Sequence, residues 1–248
     1  MICSARDAKA LLCVQRVAGR WYRPMKLDRA VRDTTLIVNE ICLTIQGEST
    51  YVGRLCVLVR LAGCSQACRY CDTPQARPFD AGETLTIEEI VNRVDALGCP
   101  LVEITGGEPL AQPACADLAR RLLERGLEVL VETSGSYPID ILPPRVVRIM
   151  DLKCPSSGEQ ERNDFSNVER LMAADQVKFV IADREDYEWA REVVKTFGLS
   201  ERCEVLFSPA FGLIEPYQIA EWIVADRLPI RLQIQLHKYV WGPQARGV

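Results

Sequence analysis

Short apolar runs alternate with helical patterns along this chain from residue 34 onward, and this alternation limits the fold more than any other feature. Apolar runs predict strands at residues 34–45, 55–63, 101–105, 127–132, 146–151, 177–181, 203–208 and 231–236. Helical periodicity predicts helices at residues 86–97, 114–124, 185–197 and 216–226. Repeated β-α units build a parallel α/β sheet covered by helices. The two candidate folds are an open doubly wound sheet and a closed or partial β/α barrel.

Polar segments follow six of the predicted strands. They are CSQACRYCDT (64–73), TGGEP (105–109), ETSG (132–135), DLKCP (151–155), SPA (208–210) and HK (237–238). Parallel β/α folds build their sites at the carboxyl ends of the strands. We therefore expect these segments to converge on one mouth.

Composition places the chain among ordinary globular proteins. Of its 248 residues, 48% are hydrophobic and 26% are charged, and no apolar run has the length of a membrane span or of a secretory signal. We therefore expect a cytoplasmic protein without a membrane partner. In a reducing compartment, its 11 cysteines stay free, bind metal or do chemistry, and most of those outside 64–73 are expected to be small buried hydrophobes.

The first 33 residues differ from the rest in charge. They carry eight basic and three acidic residues, a local charge of +5, so the remaining chain stands at −9 within a total of −4. A basic arm of this kind can touch nucleic acid or pack as a short helix. A start codon upstream of a working start near Met25 is the simpler interpretation, and no nucleic-acid partner is expected. The predicted domains are a basic extension at 1–33 and a catalytic domain at 34–248.

The chain has three cysteines within eight residues, and this density indicates a metal site or a redox function. They are Cys64, Cys68 and Cys71. A structural zinc site takes four ligands, so a distant cysteine would have to complete it. A redox CxxC would leave Cys64 unexplained. Iron–sulfur clusters are also held by thiolates, normally four, and three would leave one iron open.

The spacing CxxxCxxC after an early strand, with Tyr70 before the third cysteine and GGEP after the next strand, resembles the radical S-adenosylmethionine (SAM) superfamily. The resemblance implies that Cys64, Cys68 and Cys71 hold a [4Fe-4S] cluster whose fourth iron is chelated by SAM. An electron on the cluster cleaves SAM to methionine and a 5′-deoxyadenosyl radical. No protein side chain is therefore predicted to be catalytic, and the protein binds and orients its cofactors.

Several segments narrow the resemblance to one family. TIQGES (44–49), RLAGC (60–64), CRYCDT (68–73), TGGEP (105–109) and QLHKYVWG (235–242) together resemble the 7-carboxy-7-deazaguanine synthase family, although Ser49 stands where a glycine is usual. The reaction implied is the radical ring contraction of a pterin, 6-carboxy-5,6,7,8-tetrahydropterin, to 7-carboxy-7-deazaguanine with loss of ammonia, a step in queuosine and 7-deazapurine biosynthesis. An incomplete β/α barrel, a homodimer and an electron donor such as flavodoxin or ferredoxin are also implied.

By the same resemblance, the strand ends on one side of the mouth contact SAM. Gly106, Gly107 and Glu108 are expected to hold its amino group, and the later strand ends are expected to line its ribose and carboxylate. The predicted SAM-binding residues are Tyr70, Asp72, Gly106, Gly107, Glu108, Glu132, Ser134, Asp151, Leu152, Lys153 and Ser208.

The substrate side is expected to match a pterin. Its amino-pyrimidinone edge suits backbone groups, amides and a carboxylate, and its own carboxylate suits a bidentate arginine. The predicted substrate-binding residues are Ile45, Gln46, Gly47, Glu48, Arg60, Thr105 and His237. Thr73 matches the family's ligand for Mg²⁺, an ion that prefers hard oxygen ligands and keeps several waters.

Another radical SAM function is a second interpretation. An activase for a glycyl-radical enzyme shares CxxxCxxC and needs a protein partner, but the TIQGES and QLHK segments argue against it. A zinc protein with a basic nucleic-acid arm is a third.

Overall fold

The structure is a computed structural model that describes residues 34–247, together with the backbone of a two-residue antiparallel strand pair, Arg16–Val17 and Arg20–Trp21. Apart from that pair, the basic extension predicted at 1–33 lies outside the described residues. Within the described part of the chain, no helix is both long and apolar enough to cross a membrane.

Nine strands of residues 34–247 form one sheet. They are β1 (Thr35–Ile45), β2 (Leu55–Leu61), β3 (Glu83–Thr86), β4 (Leu101–Gly106), β5 (Glu128–Thr133), β6 (Val147–Leu152), β7 (Gln176–Ile181), β8 (Glu204–Pro209) and β9 (Arg231–Leu232). Their order across the sheet is β9-β8-β7-β6-β5-β4-β2-β1-β3. Pairing is parallel from β2 to β9, whereas β1 is antiparallel to both of its neighbours, β2 and β3.

The strand order decides between the two folds that the sequence left open. A doubly wound sheet reverses its order at a switch point. Here the parallel strands lie side by side in chain order, so successive crossovers run in one direction and the helices collect on one face. The sheet remains open, with β9 and β3 at its edges. The fold is therefore a partial β/α barrel.

Four of the five helices of residues 34–247 lie where the apolar periodicity placed them, and the helix nearest the C-terminus was not predicted. The five are α1 (Ile87–Ala96), α2 (Cys115–Glu124), α3 (Arg184–Phe197), α4 (Pro216–Asp226) and α5 (Leu236–Val240). Thr86 begins α1 with a capping box: its side chain accepts from the backbone N–H of Glu89, and the Glu89 carboxylate accepts from the N–H of Thr86. Asp183 caps α3 by accepting from the N–H of Asp186.

One expectation about the strands was wrong, and one strand was missed. The last predicted strand, 231–236, ends at Leu232, and the chain turns into α5 before His237. The edge strand β3, which follows the cysteine loop and pairs with the start of β1, was not predicted. Its four residues, ETLT, contain one buried apolar side chain, so their sequence offered little periodicity.

The chain crosses from β5 to β6 and from β6 to β7 without an α-helix, through 3-10 turns. Arg148 of β6 satisfies the backbone there: its guanidinium donates to the carbonyl oxygens of Ile139 and Leu142 and forms an ion pair with Asp175. The buried charge is thus both paired and hydrogen-bonded, as a buried arginine requires.

The two faces of the sheet carry different side chains. Strand register places Val59 beside Ile104 on the face that packs against the helices, and Arg60 beside Thr105 on the opposite face. On the helix face, Phe179 and Phe207 make edge-to-face contacts with each other at 5.5 Å between ring centroids. The opposite, inner face holds the polar residues, and it opens at the carboxyl ends of the strands.

Candidate functional site

The cysteine loop, residues 62–82, leaves the end of β2 and is fastened at its base. The N–H groups of Gly63 and Cys64 donate to the carbonyls of Ala76 and Arg77, at 2.8 and 2.9 Å. Farther along, the N–H of Arg69 donates to the carbonyl of Ser157. The loop is therefore held against the segment that follows β6.

The three thiols of this loop fit a metal cluster. Cys64, Cys68 and Cys71 are free and only partly buried. Burial raises the pKa of Cys64, and raises that of Cys68 to about 11, although the charge of Lys153 opposes the shift at both residues. Cys64 and Cys68 therefore stay protonated unless a cation stabilises their thiolates, and bound iron would supply that stabilisation.

The TGGEP segment is built around close backbone packing. Gly106 has a φ of 143°, and a Cβ added to it would collide with the backbone of Leu61. The N–H of Gly107 donates to the carbonyl of Leu61, and the N–H of Glu108 donates to that of Gly63. The glycines therefore join the end of β4 to the root of the cysteine loop.

Glu108 is buried at the end of β4 and accepts several hydrogen bonds. Its side chain is 1% exposed, and its carboxylate accepts from the hydroxyl of Thr133, from the N–H and hydroxyl of Ser134, and from the N–H of Leu110. These bonds occupy both carboxylate oxygens and tie the ends of β4 and β5 together. The predicted contact of Gly106, Gly107 and Glu108 with SAM stays a prediction.

Two buried oxygens on the inner face suit a bound cosubstrate. Among the described residues, Asp151 Oδ1 and Ser208 Oγ are buried and have no hydrogen-bond partner. Both lie at strand ends that were predicted to line SAM, and a polyhydroxylated ribose or an ammonium group would satisfy them. Lys153 forms an ion pair with Asp151 at 3.0 Å. Leu152, in contrast, buries its side chain in the hydrophobic core, so only its main chain can contact a ligand.

Tyr70 reaches from the cysteine loop to β7. Its hydroxyl donates to the carbonyl of Val180 at 3.1 Å, and burial raises its pKa, so it stays a neutral donor. The predicted SAM contact of Tyr70 is untested, but the bond fixes the loop over the inner face.

A buried lysine organises the centre of the mouth. Lys178 of β7 forms ion pairs with Glu48 at 2.6 Å, with Glu132, and with Asp151 at 3.6 Å. Glu132 also accepts from the hydroxyl of Thr105 at 3.2 Å. Burial acts to raise the pKa of Glu132, but the Lys178 ammonium holds that pKa below its usual value. The carboxylate therefore remains ionised.

Glu103 lies two residues before Thr105 on the same face of β4. Burial raises its pKa well above the usual range, and the nearby Glu132 carboxylate raises it further. A protonated Glu103 donates a hydrogen bond to Glu132. The inner face therefore carries a neutral carboxylic acid next to an ionised carboxylate.

The substrate side is joined to the C-terminal segment. Gln235 donates to Glu48 at 2.7 Å and to Asp72 at 3.2 Å, and Lys238 forms an ion pair with Asp72 at 2.8 Å. Desolvation acts to raise the pKa of Asp72, but Lys238 lowers it below its usual value. Asp72, predicted on the SAM side, is thus grouped with the residues predicted to bind substrate.

His237 packs directly on the loop after β1. A Cβ added to Gly47 would collide with the imidazole, and the N–H of Leu236 donates to the Gly47 carbonyl at 2.9 Å. Burial lowers the pKa of His237, so its ring is neutral near pH 7 and offers one donor and one acceptor. Gln46 directly follows the last residue of β1, Ile45. Its side-chain oxygen accepts from the N–H of Glu48 and orders the same loop.

Arg60 lies on the inner face beside Thr105, at the height where the pterin carboxylate was expected. Its Nε forms an ion pair with Glu40 of β1 at 3.3 Å. The pair fixes the plane of the guanidinium, whose remaining N–H groups form the fork that a carboxylate requires.

The structure shows how Ser49 is accommodated at a position where glycine is usual. It has a φ of 62°, a left-handed conformation that glycine adopts more readily. The side chain is 1% exposed, and Ser49 Oγ accepts from the N–H of Tyr51, while its N–H donates to Gln233. Local hydrogen bonds offset the backbone strain of the serine.

A cation could be held at two places on this side. Thr73, the expected Mg²⁺ ligand, precedes the 3-10 turn Pro74–Ala76 and is only partly buried. Among the described residues, Glu48, Asp72 and His237 have ligand atoms within 4.8 Å of one another. Glu48 and Asp72 are paired with Lys178 and Lys238, and the role of Thr73 as a Mg²⁺ ligand stays a prediction.

Sequence reasoning missed four residues of this mouth: Lys178, Glu103, Gln235 and Lys238. The first two lie inside the apolar runs VKFVI and LVEIT, and a charge in the middle of a strand predicted to be buried was the available signal. Gln235 and Lys238 flank His237 in the segment QLHK, which was singled out only for its histidine.

The fold and the cysteine loop define the class of protein. Residues 58–151 match the family model for the Radical SAM superfamily. They contain the three cysteines of the loop, TGGEP, the ends of β2, β4 and β5, and β6 as far as Asp151. The protein is therefore a radical SAM enzyme.

Relatives narrow the class. The chain is 45% identical over 219 residues to a protein named 7-carboxy-7-deazaguanine synthase from Chlorobaculum tepidum, covering 87% of this chain and 99% of that protein. It is 41% identical over 226 residues to one of the same name from Koribacter versatilis, covering 85% of this chain and 99% of the relative. The chain belongs to the 7-carboxy-7-deazaguanine synthase family.

A solved structure supports the fold. QueE from Escherichia coli superposes with a TM-score of 0.63 over 82% of this chain and 95% of that chain, at 21% identity. TYW1 with a lysine-pyruvate adduct bound gives a TM-score of 0.50 over 69% of this chain. The expected incomplete barrel is confirmed.

Proposed function

We propose that this chain converts 6-carboxy-5,6,7,8-tetrahydropterin to 7-carboxy-7-deazaguanine and ammonia, a step in queuosine and 7-deazapurine biosynthesis. The observation that carries the proposal is the meeting of two groups at one mouth. Three free thiols lie on its rim, and Glu48 and His237 lie beside it with the inner-face carboxylates between. Kinship at 45% identity to a protein of that name supports it.

The substrate side suits a pterin edge. The Glu48 carboxylate, paired with Lys178, presents an acceptor, the neutral His237 ring offers one donor and one acceptor, and the Gly47 backbone packs against that ring. An amino-pyrimidinone presents the complementary donors and acceptors. Arg60 is assigned to the substrate carboxylate, and Thr105, Gln46 and the backbone at Ile45 complete the pocket.

The cofactor side is assigned to a [4Fe-4S] cluster on Cys64, Cys68 and Cys71, with SAM along the ends of β4 to β8. When bound, these groups together supply a 5′-deoxyadenosyl radical that removes a hydrogen atom from the substrate. The protein's part is to hold both ligands and exclude water. Asp151, Glu132 and Ser208 supply acceptors or hydroxyls for the ribose and amino group, and Tyr70 keeps the cysteine loop over them.

We assign Mg²⁺ to Thr73 and to the substrate carboxylate, with waters completing its coordination. Loss of the metal should slow turnover. We also propose a homodimer, a cytoplasmic location and a flavodoxin- or ferredoxin-type electron donor, all of which rest on the family resemblance.

The catalytic domain is proposed to span residues 34–248. The site residues all lie within 34–247, and 87% of the chain suffices to cover 99% of a relative. Removing residues 1–24 should therefore leave cluster assembly and turnover within about twofold of the full chain, since terminal segments outside a core tolerate truncation. Iron content and initial rates measure this, and a truncated chain that fails to fold would contradict it.

The test of function uses the reconstituted protein alone. With the carboxytetrahydropterin, SAM, Mg²⁺ and dithionite, it should form 7-carboxy-7-deazaguanine and ammonia, measured by mass spectrometry and an ammonia assay. Cys68→Ala is the control that should lose both the visible absorbance of the cluster and product. Activity seen only when a glycyl-radical protein is added would refute the proposal and favour an activase.

A further inference from the structure

Lys178 is an unusual residue for the inner face of a barrel. It is 3% exposed, and lysines are rarely buried this deeply unless they are paired. Its ammonium lies 2.6 Å from Glu48 and 3.6 Å from Asp151, and it also contacts Glu132. The proposed reaction assigns no role to Lys178.

The three carboxylates come from three separate parts of the chain. Glu48 belongs to the loop after β1, on the side assigned to the pterin. Glu132 and Asp151 end β5 and β6, on the side assigned to SAM. Lys178 lies on β7, beside Asp151 in the sheet register. One side chain therefore connects the two binding sides of the mouth.

Charge explains why this connection is firm. The carboxylate of Asp151 is buried and those of Glu48 and Glu132 are partly buried, so the three repel one another without a nearby cation. The ammonium offers three N–H donors in a space where the effective dielectric constant is low, so its attraction to each carboxylate is strong. If the ammonium were removed, the repulsion among the carboxylates would be uncompensated and they would separate.

We propose that Lys178 is a positioning residue that sets the placement of the pterin relative to SAM, through Glu48 on one side and Glu132 and Asp151 on the other. This inference rests on the proposed function. Hydrogen transfer requires the reacting atoms to approach within about 3–3.5 Å, and a displacement of about 1 Å costs on the order of 100-fold in rate. A loosened mouth should therefore still cleave SAM, but without converting the pterin.

The experiment compares Lys178→Met and Lys178→Arg with the reconstituted wild-type protein, and Lys195→Met is the matched control on the exposed surface of α3. Equilibrium dialysis of the unreduced protein measures binding of SAM and of the pterin. Lys178→Met should weaken both by about tenfold or more and should raise the ratio of 5′-deoxyadenosine to deazapurine on the order of 100-fold. Lys178→Arg should recover part of both effects, and Lys195→Met should match wild type.

A double variant guards against a folding defect. Lys178→Met combined with Glu132→Gln removes one charge of each sign, so it should fold and assemble the cluster while coupling stays poor. Failure of this variant to fold would show that Lys178 serves barrel stability, which would overturn the inference.

The outcomes distinguish a failure of this inference from a failure of the proposed function. Wild-type protein that forms no deazapurine refutes the proposed function. Wild-type protein that forms it, while Lys178→Met binds both ligands and couples them as well as wild type, overturns the role of Lys178 alone. A loss of SAM binding with pterin binding unchanged would also overturn it, since the lysine would then serve one side only.

Discussion

The two faces of the sheet are built from alternate residues of the same strands. One face packs into the hydrophobic core, and the other holds the polar residues of the candidate site. On β7, Val177, Phe179 and Ile181 enter the hydrophobic core beneath the helices, whereas Lys178 between them turns to a cluster of carboxylates. On β4, Val102 and Ile104 enter the core, whereas Glu103 and Thr105 face Glu132. The period of a strand thus separates stability from chemistry by one residue.

The two faces contribute differently to the free energy of folding. Burial of apolar side chains on the helix face is favourable by about 25 cal/mol per Å². Burial of ionised groups on the inner face is costly unless each is paired, and here the pairing is specific to the site. We therefore expect substitutions on the helix face to change folding and substitutions on the inner face to change binding and turnover.

The largest effect on folding is expected at Phe179. Phe179→Ala leaves a cavity between Phe207 and Trp189, and large-to-small aromatic changes in cores cost about 3–5 kcal/mol. Urea denaturation of the reconstituted protein should show this loss, while Val224→Ala, at an exposed position of α4, changes stability little. A loss below about 1 kcal/mol at Phe179 would break the contrast between the faces.

Glu132→Gln should show the reverse pattern. The substitution keeps the shape of the side chain and removes one of three carboxylates around Lys178, so stability should change by less than about 1 kcal/mol. Turnover should fall on the order of 100-fold, because the groups that place the two ligands lose their charge balance. Paired denaturation and rate measurements check both halves. Equal losses of folding and turnover would mean that the inner face is structural.

Glu103 offers a pH test of the inner face. Its folded-state pKa lies above that of an unfolded glutamate, about 4.3, so its contribution to stability is fully present below that value and is lost as the pH rises toward the folded-state pKa. Within that window, wild type should lose up to about 1.4 kcal/mol per pH unit relative to Glu103→Gln. Denaturation of both proteins in a pH series that begins at about pH 4.3 and extends upward measures the slope. Parallel curves would show that Glu103 is ionised in the folded protein.

The contrast between the faces also explains how far the sequence could be interpreted. Helices α1 to α4 and most strands followed from apolar periodicity, because that signal comes from the helix face. The cysteines, TGGEP and HK were found because short motifs lie at strand ends. Lys178 and Glu103 were missed because one charge inside an apolar run carries no partner information, and their partners come from other strands. The early end of β9 was missed because QIQL retains the alternation of a strand.

Glu108 teaches a related lesson. Its motif was assigned to the amino group of SAM, and this assignment stays a prediction. The structure adds that its carboxylate accepts from N–H and hydroxyl groups of Leu110, Thr133 and Ser134. A motif locates a site, whereas only the tertiary contacts show which atoms of the motif remain available to a ligand.

The most direct test of the account follows a hydrogen atom. The central claim is that the inner face holds the pterin beside SAM, so that the hydrogen at C6 of the substrate is the one removed and a hydrogen is returned after the ring contraction. With substrate deuterated at C6, SAM, Mg²⁺ and dithionite, the account predicts that deuterium appears in 5′-deoxyadenosine or returns to the product, and that the deazapurine formed exceeds the 5′-deoxyadenosine accumulated. Deuterium found in neither, measured by mass spectrometry while SAM is being cleaved, would contradict the claim.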